Sequence, residues 1–134
     1  MLNLEIPRNG PNNIQACLTS YFQENFINDY QHNGRKVRAT HKQLISKLPN
    51  TLCLQFKRFI FTDRLIKKKE FISFDEVLTI PDEIVASSLR LGIFNEKSHN
   101  RQSAPKYRLF SVIEHIGQYA HRGHYVSYTM DSDD

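Results

Sequence analysis

The chain has 134 residues, 40% of them hydrophobic and 24% charged, with 15 aromatic side chains and ten Gly plus Pro, a globular composition long enough to enclose one core. The formal charge of +4 is spread unevenly: −2 over residues 1–30, +9 over 31–70 and −3 over 71–134. No apolar run approaches the roughly 18–20 residues of a membrane span, residues 1–11 lack the basic flank and apolar stretch of a secretory signal, and two cysteines 36 positions apart make neither a disulfide scaffold nor a C-x-x-C pair. These features lead us to expect a protein of the reducing cell interior, in cytoplasm or nucleus, with free thiols and no membrane contact.

Leu4 and Ile6 alternate ahead of Pro7, which suits a short strand over 3–7. Asn9-Gly10-Pro11-Asn12-Asn13 is turn chemistry, and Asn12 or Asn13 can cap the helix that follows. Ile14, Cys17, Leu18, Tyr21 and Phe22 then recur at helical spacing, which makes Cys17 a core thiol. Residues 27–47 are polar and basic, and His32-Asn33-Gly34 predicts a turn between two short strands. Residues 51–61 read as one central strand, with Leu52, Leu54 and Phe56 on one face and Cys53, taken as a core residue, on the other.

Residues 63–69 form a predicted charged turn, and 70–74 return as a partly exposed strand. Leu78-Thr79-Ile80 is a short strand ended by Pro81, and 82–88 starts a brief helix. Residues 95–106 carry almost no apolar side chain and predict a mobile surface loop. The alternation of 107–115, the loop 117–123 and the renewed alternation of 124–129 predict two antiparallel strands. The class that results is α+β with an antiparallel sheet.

Chemistry concentrates near the end of the chain. His115, His121 and His124 fall within ten residues, but no second ligand pair accompanies them, so neither a metal centre nor any other cofactor is expected. Gly123-His124-Tyr125 puts an imidazole at a strand start, with a Gly before it that lets other backbone come close, a geometry suited to a general base. The basic stretch 31–70 offers a different reading, a nucleic-acid patch, against which Phe56, Phe59 and Phe61 are needed for the sheet rather than for stacking on bases.

Three strings, in order, closely resemble the ubiquitin-specific protease (ubiquitin carboxyl-terminal hydrolase) family. Residues 107–117 (YRLFSVIEHIG), five residues, then Gly123-His124-Tyr125-Val126-Ser127-Tyr128 are similar to its histidine box, spanning 107–129. Residues 48–59 (LPNTLCLQFKRF) resemble its "LP..L.L.LKRF" strand, and 14–22 falls where the family has a helix. The resemblance implies a papain-like cysteine protease fold and hydrolysis of the isopeptide bond after the C-terminal glycine of ubiquitin. His124 would then be the catalytic histidine, Gly123 and Tyr125 would border the channel for the ubiquitin tail, and His115 would be structural. Ubiquitin and ubiquitinated proteins would be the partners.

The departures from the family pattern shape the expectation further. No Cys box of the type "GL.N.GNTCY.N" occurs, Cys17 and Cys53 fall on a helix and a strand, and the zinc-binding cysteine pairs of many relatives are missing. The triad Asp or Asn is also missing, since with 124–129 extended Asp131 would lie about 20 Å from His124 at roughly 3.3 Å per residue. Residues 1–134 therefore read as a single partial catalytic domain, palm and fingers without the N-terminal thumb, inactive without that missing half. The alternatives are a non-catalytic ubiquitin-binding remnant and, less favoured, the nucleic-acid module over 31–70.

Overall fold

The computed structural model describes residues 1–7, 10–61, 63, 65–87 and 104–131. Among the described residues α1 (Ile14–Tyr21) accompanies ten strands that pair two by two. β1 (Leu2–Leu4) runs parallel to β4 (Leu54–Phe56). The other four ladders are antiparallel: β2 (Asn25–His32) with β3 (Arg35–His41), β5 (Phe59–Phe61) with β6 (Leu65–Lys67), β7 (Val77–Thr79) with β8 (Lys106–Arg108), and β9 (Ser111–Tyr119) with β10 (Arg122–Thr129). Among the described residues no helix is long and apolar enough to cross a membrane.

The helix begins where the sequence predicts. Asn13 keeps an extended backbone, and its Oδ1 accepts the Ala16 N–H at 2.7 Å, satisfying one of the donors a helix start leaves unpaired. Removing that cap with Asn13→Ala is expected to cost about 1 kcal/mol, read as a lower urea midpoint at unchanged slope. The helix stops at Tyr21, with the Phe22 N–H returning to the Leu18 carbonyl. Cys17, Leu18 and Phe22 pack with Leu4, Ile80, Ile84 and Val85 into the core. Each aliphatic side chain fully buried there contributes about 1.5–3 kcal/mol against exposure. Cys17 is wholly buried as expected, and that burial pushes its thiol up, the charge of Arg58 opposing only in part.

Several expectations need correction. The single antiparallel sheet is replaced by five separate ladders, one of them parallel. The central strand over 51–61 is two short strands, broken at Lys57-Arg58. There the Lys57 N–H donates to the Leu4 carbonyl while the Arg58 guanidinium turns to the carbonyls of Lys68 and Glu70. Cys53 is exposed rather than core, because α1 and its partners cover only the face that carries Leu52, Leu54 and Phe56. The charged turn over 63–69 contains strand β6, and the strand over 70–74 reduces to one bridge, Asn13 to Ser73. After Pro81 the chain makes a 3-10 turn, Asp82–Ile84, and Ser87 is helical where the described residues stop. The alternation of 107–115 splits at Leu109-Phe110 between β8 and β9. Most of the predicted loop over 95–105 lies outside the described residues.

The β2–β3 hairpin does follow its turn signal. Asn33 and Gly34 take φ of 49° and 75°, the positive pair that a two-residue hairpin turn requires.

Candidate active site

β9 and β10 form a tight hairpin rather than two strands around a long loop. Gly117 lies within β9 and Gly123 within β10, and only Ala120 and His121 make the turn. The register pairs Arg122 with Tyr119 and His124 with Ile116, so a bulge sets Gly117 and Gln118 against Gly123. Both glycines are needed there. A Cβ on Gly117 would come within 2.8 Å of the Arg122 carbonyl oxygen, and one on Gly123 would meet Nε2 of His115 and lie 2.6 Å from the Ile116 carbonyl oxygen. The close approach predicted at Gly123 is thus made by the imidazole of His115.

His124 leaves the bulge on the face of the hairpin that also carries Ile116, Glu114, Val126 and Tyr128. The ring is exposed, and no hydrogen bond holds it among the described residues. Glu114 is the acid on that face, and it accepts the Tyr128 hydroxyl at 3.4 Å. β10 runs unbroken to Thr129 before Asp131, and the Met130 N–H then donates to the Phe110 carbonyl.

His115 and Tyr125 face the other way as a cross-strand pair, their rings 4.8 Å apart. Phe59 of β5 meets the same imidazole edge-on at 5.8 Å. Lys67, the last residue of β6, donates to the carbonyls of His115 at 2.9 Å and Gly117 at 2.6 Å. Sequence reasoning did not single out Lys67. Its signal was weak: one Lys among three in a charged run, distinguished only by the alternation Leu65, Lys67 opposite Phe59 and Phe61.

The hairpin therefore presents one imidazole to solvent on a strand and keeps a second packed behind it. Chemically, the first can take or give a proton to a group brought against it. Cys17 is buried in the core, which pushes its thiol up, whereas Cys53 lies exposed before β4, its carbonyl accepting the Leu2 N–H at 2.9 Å. Gly123 and Tyr125 flank His124 in sequence, but Tyr125 points to the opposite face.

Of the basic stretch 31–70 only Arg58, Lys67 and Lys68 are half-buried, and the other described bases are exposed. Lys57 bridges Glu5 at 3.1 Å, Lys36 bridges Asp29 at 3.6 Å, and Arg58, Lys67 and Lys68 donate to backbone carbonyls. Arg38 lies over the Phe26 ring at 4.1 Å.

The sequence model of the family described as ubiquitin carboxyl-terminal hydrolase matches residues 5–134. Ubiquitin hydrolase B of Dictyostelium discoideum is 28% identical over 126 residues, covering 92% of this chain and 25% of that protein. Ubiquitin carboxyl-terminal hydrolase 25 of Arabidopsis thaliana is 30% identical over 138 residues, 98% of this chain and 18% of that protein. Ubiquitin carboxyl-terminal hydrolase 48 of Danio rerio is 29% identical over 137 residues, 96% and 12% respectively. The chain thus spans a quarter or less of these relatives. Among solved structures, one chain of the SAGA Ubp8/Sgf11/Sus1/Sgf73 DUB module bound to ubiquitin aldehyde superposes with a TM-score of 0.74. The superposition covers 98% of this chain and 28% of that one at 24% identity, a likeness of fold.

Proposed function

This chain belongs to the ubiquitin carboxyl-terminal hydrolase family, and from that premise we propose that residues 1–134 form the palm and finger part of a cysteine deubiquitinase whose general base is His124. The observation that carries this reading is the exposed imidazole of His124 on a bulged strand with a second histidine packed behind it. A base must be held from one side and open on the other, and strand-borne groups hold their geometry better than loop-borne ones.

The nucleophile comes from outside these residues. Cys17 is a buried, protonated thiol, and a thiol attacks only as its thiolate. Exposed apolar side chains around the hairpin, with Phe110 60%, Ile113 72%, Ile116 51% and Tyr125 68% accessible, support a cysteine-bearing half packed against these strands. With that half in place, His124 withdraws the cysteine proton, the thiolate adds to the carbonyl carbon of the ubiquitin C-terminal glycine, and the departing lysine amine takes the proton from the imidazolium. The backbone at Gly123 and Tyr125, on either side of His124, borders the channel for the ubiquitin tail. We place this work in the reducing cell interior, where the thiolate survives.

Two measurements on the purified 134-residue chain test the reading. Ubiquitin with a thiol-reactive C-terminus is expected to form no adduct, and ubiquitin titrated against labelled chain is expected to shift the amides of Gly123, His124 and Tyr125. An adduct on Cys53 that disappears in His124→Ala would mean that the chain carries its own nucleophile. Unmoved amides at 123–125 with saturating ubiquitin would remove the substrate assignment.

A further inference from the structure

Lys67 ends β6 with its side chain half-buried against β9. An ammonium has three protons and only donates. Here they have three acceptors: the carbonyl of His115 at 2.9 Å, the carbonyl of Gly117 at 2.6 Å and Nδ1 of His115 at 3.4 Å. The Phe59 ring lies 5.8 Å from the same nitrogen and adds a cation–π contact. His115 and Gly117 are two apart on one strand, so both carbonyls point the same way, toward the edge of β9 that β10 leaves unpaired.

The consequence reaches His124 in two contacts. The Lys67 ammonium also lies against the His115 ring, 3.4 Å from its Nδ1. That ring occupies the space a side chain at Gly123 would need, immediately before His124. Gly117, the second carbonyl Lys67 holds, belongs to the bulge opposite Gly123. Lys67, His115, Gly123 and His124 are therefore one contiguous stack across β6, β9 and β10.

We propose that Lys67 is a positioning residue for His124, its ammonium tying the free edge of β9 and thereby fixing the bulge from which the His124 imidazole projects. Its importance for catalysis rests on His124 being the base, whereas the stack itself can be tested without turnover.

The test is NMR of the histidine-labelled chain in wild type, Lys67→Met and Lys68→Met. Methionine keeps most of the length as an unbranched apolar chain but removes the donors and the charge. Lys68 is a matched control, since its ammonium donates to the Ile6 carbonyl at 3.0 Å and does not touch the hairpin. Lys67→Met is expected to move the ring resonances of both His115 and His124 and to speed amide exchange at Gly117 and Gly123 by more than tenfold. Lys68→Met is expected to leave the His124 resonances in place even where it lowers the melting temperature equally. Unmoved His124 resonances in folded Lys67→Met would overturn the proposal, as would equal movement in both variants. If Lys67→Met does not fold, the wild-type protein decides. A through-hydrogen-bond coupling from the Lys67 ammonium nitrogen to the carbonyl carbons of His115 and Gly117 is expected, and its absence overturns the assignment. All these readings come from resting protein, so they stand apart from turnover measurements on His124→Ala, which test the base itself.

Discussion

His124→Ala is expected to lower kcat about a thousandfold, within the range seen when a positioned general base is removed, and to leave KM for a ubiquitin conjugate within about twofold. The assay requires enzyme in which the cysteine-bearing half accompanies this chain. The split between kcat and KM follows from where the ring sits. It is exposed on the face of β9–β10 that also carries Ile116 and Val126, and no side chain of the described residues depends on it for a hydrogen bond. Its removal therefore takes away a proton acceptor and little packing. His115 cannot take over, because its ring is wedged at Gly123 and its Nδ1 faces the Lys67 ammonium. A loss of less than tenfold would mean that another group is the base.

What the sequence made legible was local. Asn13 as a cap, Asn33-Gly34 as a hairpin turn and Gly123 as a point of close approach each depend on a few neighbouring residues, and each stands in the structure. Pairing was harder, because β1 and β4 lie about fifty residues apart and nothing in either strand names the other. The break between β4 and β5 did leave a trace. The apolar alternation of Leu52, Leu54 and Phe56 resumes at Phe59 and Phe61, a slip of one position across Lys57-Arg58. An unbroken strand keeps its phase, so that slip marks an irregularity. The same alternation put Cys53 on the side away from the leucines, which is the exposed side here. The split at Leu109-Phe110 left no such trace, since neither Gly, Pro nor a phase change marks it. Lys67 was hidden because a lysine in a charged run is usually solvated, and only the fold brings it against two carbonyls of β9.

Gly123→Val should be the most damaging substitution for the hairpin itself. Gly123 has φ of +158°, where a side chain is strained, at about 1–3 kcal/mol, and the added atoms meet matter on two sides. The Ile116 carbonyl oxygen, 2.6 Å from the new Cβ, is backbone inside the β9–β10 ladder and cannot swing away. The His115 ring can move only by leaving Lys67 and Phe59. Overpacking of this kind adds about 1–3 kcal/mol, so a total near 3–4 kcal/mol is expected, read as a lower urea midpoint and faster amide exchange along β10. Gly34→Val supplies the comparison, because Gly34 has φ of +75° but nothing within 4 Å of its Cβ, leaving strain alone. Adding His115→Ala to Gly123→Val should recover part of the loss, since the ring is gone while the Ile116 carbonyl remains, a coupling of about 1 kcal/mol or more. If Gly123→Val costs no more than Gly34→Val, the wedge is not tight. The imidazole of His124 would then have no rigid backbone behind it.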